Sequence, residues 1–203
     1  MGLSALAKLV PLMFVPLLVR HLRGYRRWVL PAIPVVMTAA GLLWYIAPSG
    51  GMDALKLFGE RWEFNGSIFS IVYFLTDSNE VAHRDSGILI LLYIAVLTIV
   101  DRPLLEKIFW GFAGILLLSP VVHPWYLTWL AALLVLRWSP SVFVFLGFSV
   151  VANIVVYQYR AYGQWVDQPL LLLIEYLPVF VLLVREIVRG EFLMSRSNKE
   201  FAQ

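Results

Sequence analysis

Glu60-Arg61-Trp62-Glu63-Phe64-Asn65 is the stretch with the densest set of chemically useful side chains. Arg61 offers a planar guanidinium that can grip a phosphate in a fork. Trp62 can stack on a sugar face and Asn65 can hydrogen-bond a hydroxyl-rich ligand, with Glu63 a further candidate in the same stretch. The same residue types also suit a solvated interfacial helix whose exposed ion pairs contribute little.

A second stretch, Ser119-Pro120-Val121-Val122-His123-Pro124-Trp125-Tyr126, joins two long apolar runs. Its two prolines stiffen the backbone and remove two N–H donors. His123 can donate to a phosphate or act as a general acid or base. Trp125 and Tyr126 are amphipathic aromatics of the kind that gather at a membrane–water boundary. An interfacial histidine held by backbone groups within an aromatic belt is the plainer reading. Lys8 and Glu175 form a third candidate, because each lies inside an apolar run where a charge is costly. They can pair with each other, or Lys8 can face an anionic headgroup. The alternatives are snorkelling for Lys8 and a structural hydrogen bond or ion pair for Glu175.

The elements that position these residues are membrane helices. Hydrophobic residues make up 61% of the 203 residues and aromatics 15%, with a mean hydropathy of +0.80. Soluble domains are about 45–50% apolar. The fold class expected is therefore an all-α integral membrane bundle. Cysteine is absent, which excludes a disulfide framework, a thiolate metal site and a thiol nucleophile. The three histidines are far apart and show no ligand spacing, so no metal site is expected. No glycine-rich phosphate loop or nucleotide fingerprint is present, and no cofactor is evident. Residues 1–19 lack a basic leader and a small-residue cleavage site, so they read as a mature helix rather than a signal peptide.

Seven spans are expected, at 3–19, 28–47, 87–100, 108–122, 125–136, 141–157 and 169–188. The first should be kinked by Pro11 and Pro16. The dense basic turn at Arg20, His21, Arg23, Arg26 and Arg27 is assigned to the cytoplasm. On this topology 11 of the 16 Lys/Arg lie inside, four outside, and Lys8 in the membrane. The basic excess is thus a topology signal in short loops, and no nucleic-acid partner is expected. Residues 52–66 read as an interfacial amphipathic helix, with Leu55, Phe58 and Trp62 near helical spacing. The apolar run 67–76 is too short to cross about 30 Å of hydrocarbon and is expected on the outer surface or re-entrant. Residues 77–87 and 158–168 read as outer loops. The domain expected is a transmembrane unit over 1–190, with a polar cytoplasmic tail over 191–203.

Three stretches, in order and spacing, resemble the C-terminal half of bacterial GT-C-type membrane glycosyltransferases, in the group that includes polyprenyl-phosphate-mannose-dependent mannosyltransferases. They are Lys8-Leu9-Val10-Pro11 leading to Pro16-Leu17-Leu18-Val19-Arg20, then Phe58-Gly59-Glu60-Arg61-Trp62-Glu63-Phe64-Asn65-Gly66-Ser67-Ile68-Phe69, then Ser119 to Tyr126 as quoted above. The last is the most specific. The resemblance covers about the first two thirds of the chain. It implies transfer of a hexose, mannose in that group, from a polyprenyl-phosphate carrier to a glycan or glycolipid acceptor at the outer face of the bacterial plasma membrane, with the C-terminus cytoplasmic. In that superfamily the general base is an acid in an early outer loop. No such loop precedes residue 3 here, so no catalytic residue is assigned, and an N-terminal half encoded upstream is an expected partner. The alternative is a non-catalytic membrane subunit that binds polyprenyl lipids, flippase-like or an assembly partner. A small transporter is disfavoured by the absence of an inverted repeat.

Overall fold

The computed structural model describes residues 10–46, 51–163 and 168–190. Lys8, the turn at 48–50, Trp165, Asp167, the tail 191–203 and the side chains of Leu55 and Phe58 lie outside the described residues. The described chain consists of helices joined by short loops, with one isolated β-bridge between two of those loops.

A 3-10 turn at Val10–Phe14 passes into α1 (Val15–His21). The change of helix type falls beside Pro16, which sits in the first turn of α1, where its missing N–H costs nothing. Arg20 and His21 occupy the last turn of α1, where cations complement the helix dipole. Helix α2 (Arg26–Gly41) contains Pro31 and Pro34 and runs on as a π-helical turn, Leu42–Ile46. Helix α3 (Gly51–Arg61) carries Asp53, Lys56, Glu60 and Arg61 on an exposed surface. It ends one residue before Trp62, so Trp62 belongs to the following loop and not to a helical stripe.

Helix α4 (Ser67–Thr76) stops at Asp77, whose backbone is left-handed. Helix α5 (Asn79–Ile99) starts at once, with the Ser78 hydroxyl accepting from Val81 N at 3.3 Å. The outer loop expected over 77–87 is therefore a helical extension of α5. A serine cap and a solvated polar face account for residues that composition assigned to a loop. Helix α6 (Leu104–Leu118) follows Pro103, and a 3-10 turn at Pro124–Leu127 leads into α7 (Thr128–Leu134). Helix α8 (Pro140–Phe148), a 3-10 turn at Ser149–Ala152 and α9 (Asn153–Tyr162) form one continuous rod. Residues 158–162, expected in a loop, finish that rod, and Gly163 ends it with positive φ. Helix α10 (Pro169–Val188) has the expected bounds.

Among the described residues, three helices are long and apolar enough to cross a membrane, fewer than the seven spans expected: Arg26–Trp44, Asn79–Ile99 and Pro140–Tyr162. Val10–His21 and Pro124–Leu134 are shorter apolar helices, because prolines and changes of helix type interrupt those runs. Helix α10 has 20 residues but carries Glu175, Arg185 and Glu186. Many large apolar side chains face outward, among them Trp44, Phe74, Leu91 and Val135. An outward-facing apolar surface of this kind is compatible with a membrane protein.

Helix α6 runs through the main core, burying Phe109, Trp110, Ala113 and Leu116. Two glycines let its neighbours approach. A Cβ on Gly111 would lie 2.4 Å from the Phe14 ring, and one on Gly114 would lie 2.1 Å from the Tyr93 ring. Small residues at helix contacts matter most where water provides no hydrophobic drive. Tyr93 is also fixed at its far end, donating from Oη to Trp110 O at 2.8 Å. At the other end of the core, buried Glu186 of α10 accepts from Ser139 Oγ, from Ser141 N at 3.1 Å and from Ser141 Oγ at 2.9 Å. That bolts α10 to the N-terminus of α8, the dipole end that favours a carboxylate.

Because the Tyr93 ring is pinned at both ends, it cannot swing away from a new methyl group. Gly114→Ala is expected to cost about 1–3 kcal/mol by overpacking. In a Tyr93→Leu background the same change should cost less, and thermal unfolding of the four proteins in detergent measures the coupling.

Candidate functional site

The loop between α3 and α4 and the loop after α6 are joined through their backbones. Phe64 N donates to Pro120 O at 2.9 Å, and Val122 N donates to Phe64 O at 2.8 Å, which makes the parallel bridge between Phe64 and Val121. The joint depends on sequence on both sides. Pro120 interrupts the α6 ladder, so nearby carbonyls need donors from elsewhere. Asn65 takes φ +56°, a left-handed conformation that asparagine tolerates better than most residues. Gly66 then lets the strands touch, because a Cβ there would lie 2.9 Å from Ser119 O and 3.1 Å from Pro120 O. Ser67 Oγ adds a 2.7 Å bond to Leu117 O at the end of α6.

Glu175 reaches the same joint from α10. Asn65 Nδ2 donates to Glu175 Oε1 at 2.9 Å, and Tyr176 Oη donates to Asn65 O at 2.6 Å. Glu175 is 1% exposed and Asn65 4%. A buried carboxylate loses several kcal/mol of hydration unless donors replace the water, so Asn65 is a supporting partner of Glu175. A small separate core of Phe64, Val121, Ala152 and Val155 underlies the joint.

His123 lies over this joint and is buried. Its ring stacks on Phe64 at 4.5 Å and on Trp125 at 4.2 Å, and the Tyr126 ring meets it edge-on at 5.4 Å. Tyr126 stacks in turn on Trp129, and Trp129 packs on Phe112 of α6. An aromatic series thus runs from the exposed Trp125 indole to the main core. On the other side of the joint, Trp62 is 52% exposed, close to the 56% of Trp125. The Trp62 carbonyl lies 3.0 Å from His83 Nε2, while His83 Nδ1 lies 2.9 Å from Asn79 O. Glu63 Oε2 accepts from Asn79 Nδ2 at 2.9 Å. Arg61 is exposed at the end of α3 and has no ion pair among the described residues.

The structure therefore brings together Asn65, His123, Tyr126 and Glu175 at the joint, and Arg61, Trp62, Glu63 and Trp125 are exposed on the flanks of the two joined segments, which form its rim. Lys8 lies outside the described residues. The contributions separate by burial. Asn65 and Glu175 build the floor, and His123 is clamped between rings. The guanidinium and the two indoles are the groups a ligand can reach. A guanidinium can hold an anion and an indole can cover a flat, weakly polar face such as a sugar ring. No group of metal-ligating residues occurs among the described residues.

Four contributors escape a reading by residue type. Tyr176, Gly66, Ser67 and His83 act through backbone carbonyls or through missing volume, which composition does not report. Asn65-Gly66 is a turn dipeptide, and that was the available signal for the positive φ. No family model, curated protein or solved structure matches the chain.

Removing the donor should cost more with the Glu175 carboxyl as partner than with a neutral amide there. Asn65→Ala is expected to lose about 2 kcal/mol in the native background and about 1 kcal/mol when Glu175 is replaced by Gln. Denaturant unfolding of the double-mutant cycle in detergent reads the difference. Asn65→Gly relaxes the backbone while deleting the same donor, and it separates the two effects.

Proposed function

We propose that the chain is a membrane glycosyltransferase, or the C-terminal part of one. It would take a hexose, mannose by the resemblance, from a polyprenyl-phosphate carrier to a lipid-linked or envelope glycan. One observation carries this reading: the two stretches that bear the most specific resemblance, 58–69 and 119–126, meet through reciprocal backbone bonds. In this reading the rim lies at the outer face of a bacterial plasma membrane, the C-terminus is cytoplasmic, and Val10–His21, α6, Pro124–Leu134 and α10 join the three long helices to make seven spans.

Transfer with inversion breaks the bond from the sugar's anomeric carbon to the carrier phosphate as an acceptor hydroxyl attacks from the opposite side. The phosphate leaves with the bonding electrons. Arg61 would neutralise that charge, with His123 behind it, and Trp62 and Trp125 would orient the sugar. Their effect is positioning and electrostatic stabilisation. The base that takes the acceptor proton is not assigned to this chain. Glu175 is committed to Asn65 and Glu63 to Asn79. That observation favours a second reading, a non-catalytic subunit that binds polyprenyl lipids.

Membranes containing the chain, with and without the product of the reading frame upstream, should be supplied with labelled polyprenyl-phosphate-hexose. Transfer is expected with the upstream product, and Arg61→Ala should weaken carrier binding by about tenfold, the scale of one charge-assisted contact. Binding without transfer under both conditions supports the second reading. Absence of both binding and transfer contradicts the two together.

A further inference from the structure

A groove of about 640 Å³ runs between the N-terminal helical segment and α5, away from the rim. Its walls include Met13 and Pro16 on one side and Ile94, Ala95, Thr98 and Ile99 on the other. The lining is apolar apart from the Thr98 hydroxyl, and that hydroxyl is turned back onto Ile94 O at 2.7 Å. In a bilayer such a groove has the chemistry of an acyl-chain slot.

Cations close one end of the groove. Lys107 Nζ donates to Thr98 O at 3.3 Å, and an Arg20 guanidinium nitrogen donates to Ile99 O at 3.4 Å. Both acceptors belong to groove-lining residues. Lys107 is only 7% exposed, an unusual degree of burial for a lysine with no carboxylate bonded to it among the described residues. Burial first, and then the charge of Arg20, push its ammonium below the usual range, and Asp101 offsets this in part. Most N–H donors of both side chains are not used by these two carbonyls, so the pair can still donate to an anion. A phosphodiester would relieve the repulsion between Lys107 and Arg20. A zwitterionic headgroup would bring a further cation beside Arg20 and Lys107.

We propose that this groove and its basic end bind one anionic phospholipid, with an acyl chain along α5 and the phosphodiester between Arg20 and Lys107. The site is separate from the rim and does not depend on the glycosyltransferase reading. It ties α1, α5 and the start of α6 together through a lipid.

The test uses the full chain in detergent, titrated with dioleoylphosphatidylglycerol or dioleoylphosphatidylcholine and read by native mass spectrometry and by thermal unfolding. The anionic lipid is expected to bind at least about fivefold more tightly, and Arg20→Gln or Lys107→Gln should each remove about that factor. Arg20 is exposed, so its variant should keep the lipid-free melting temperature even if Lys107→Gln does not. Ala95→Trp, which fills the groove, should weaken both lipids. Equal affinity for the two lipids, or unchanged affinity in Arg20→Gln, overturns the proposal. So does inorganic phosphate that stabilises the chain as much as the lipid does, because the acyl chain would then contribute nothing.

Discussion

The structure around the site depends on a problem of backbone hydrogen bonding. Prolines at 120 and 124 leave the chain after α6 unable to continue a helix, and buried carbonyls and N–H groups cannot be left without partners. Helices solve this within themselves; a proline-broken stretch must find another chain segment. Residues 64–67 are that segment. Phe64 supplies a donor to Pro120 and an acceptor to Val122, and Ser67 supplies a donor to Leu117. The β-bridge thus pairs backbone groups of two non-helical loops in a described chain that is otherwise mostly helical.

Much else follows from that joint. Gly66 is needed because two backbones come within contact distance, and Asn65 takes a left-handed turn to leave the bridge and start α4. Once Asn65 is held there, its amide points at α10, and Glu175 can be buried at moderate cost. Phe64, fixed by the same bonds, provides one of the rings against which His123 stacks. Burial of the histidine, the asparagine and the glutamate is one connected arrangement. The exposed groups at its edge owe their relative placement to it.

The sequence carried the helical, apolar character of the chain and the bounds of α10. It also carried the separate short helix at Ser67–Thr76, because these follow from local composition and from breaker residues. It also singled out Asn65, His123 and Glu175. It could not show that they meet, since Asn65 and Glu175 are 110 residues apart and no periodicity relates them. The start of α5 was misread for a different reason. Glu80, Arg84 and Asp85 look like loop composition, yet a helix end can carry them into solvent once Ser78 caps it. Gly111 and Gly114 were visible as small residues, but the rings that fill their space come from other helices.

The most direct test of this account is a cross-link between the two loops in membranes. The native chain has no cysteine, so Phe64→Cys with Val121→Cys creates the only pair available. Bridge partners lie within the span that a disulfide tolerates. The account expects rapid, near-complete disulfide formation under mild oxidation, with no cross-link when Phe64→Cys is paired instead with a cysteine at Ile99. Failure of the 64–121 pair to cross-link, in a protein whose single variants remain folded, would contradict it.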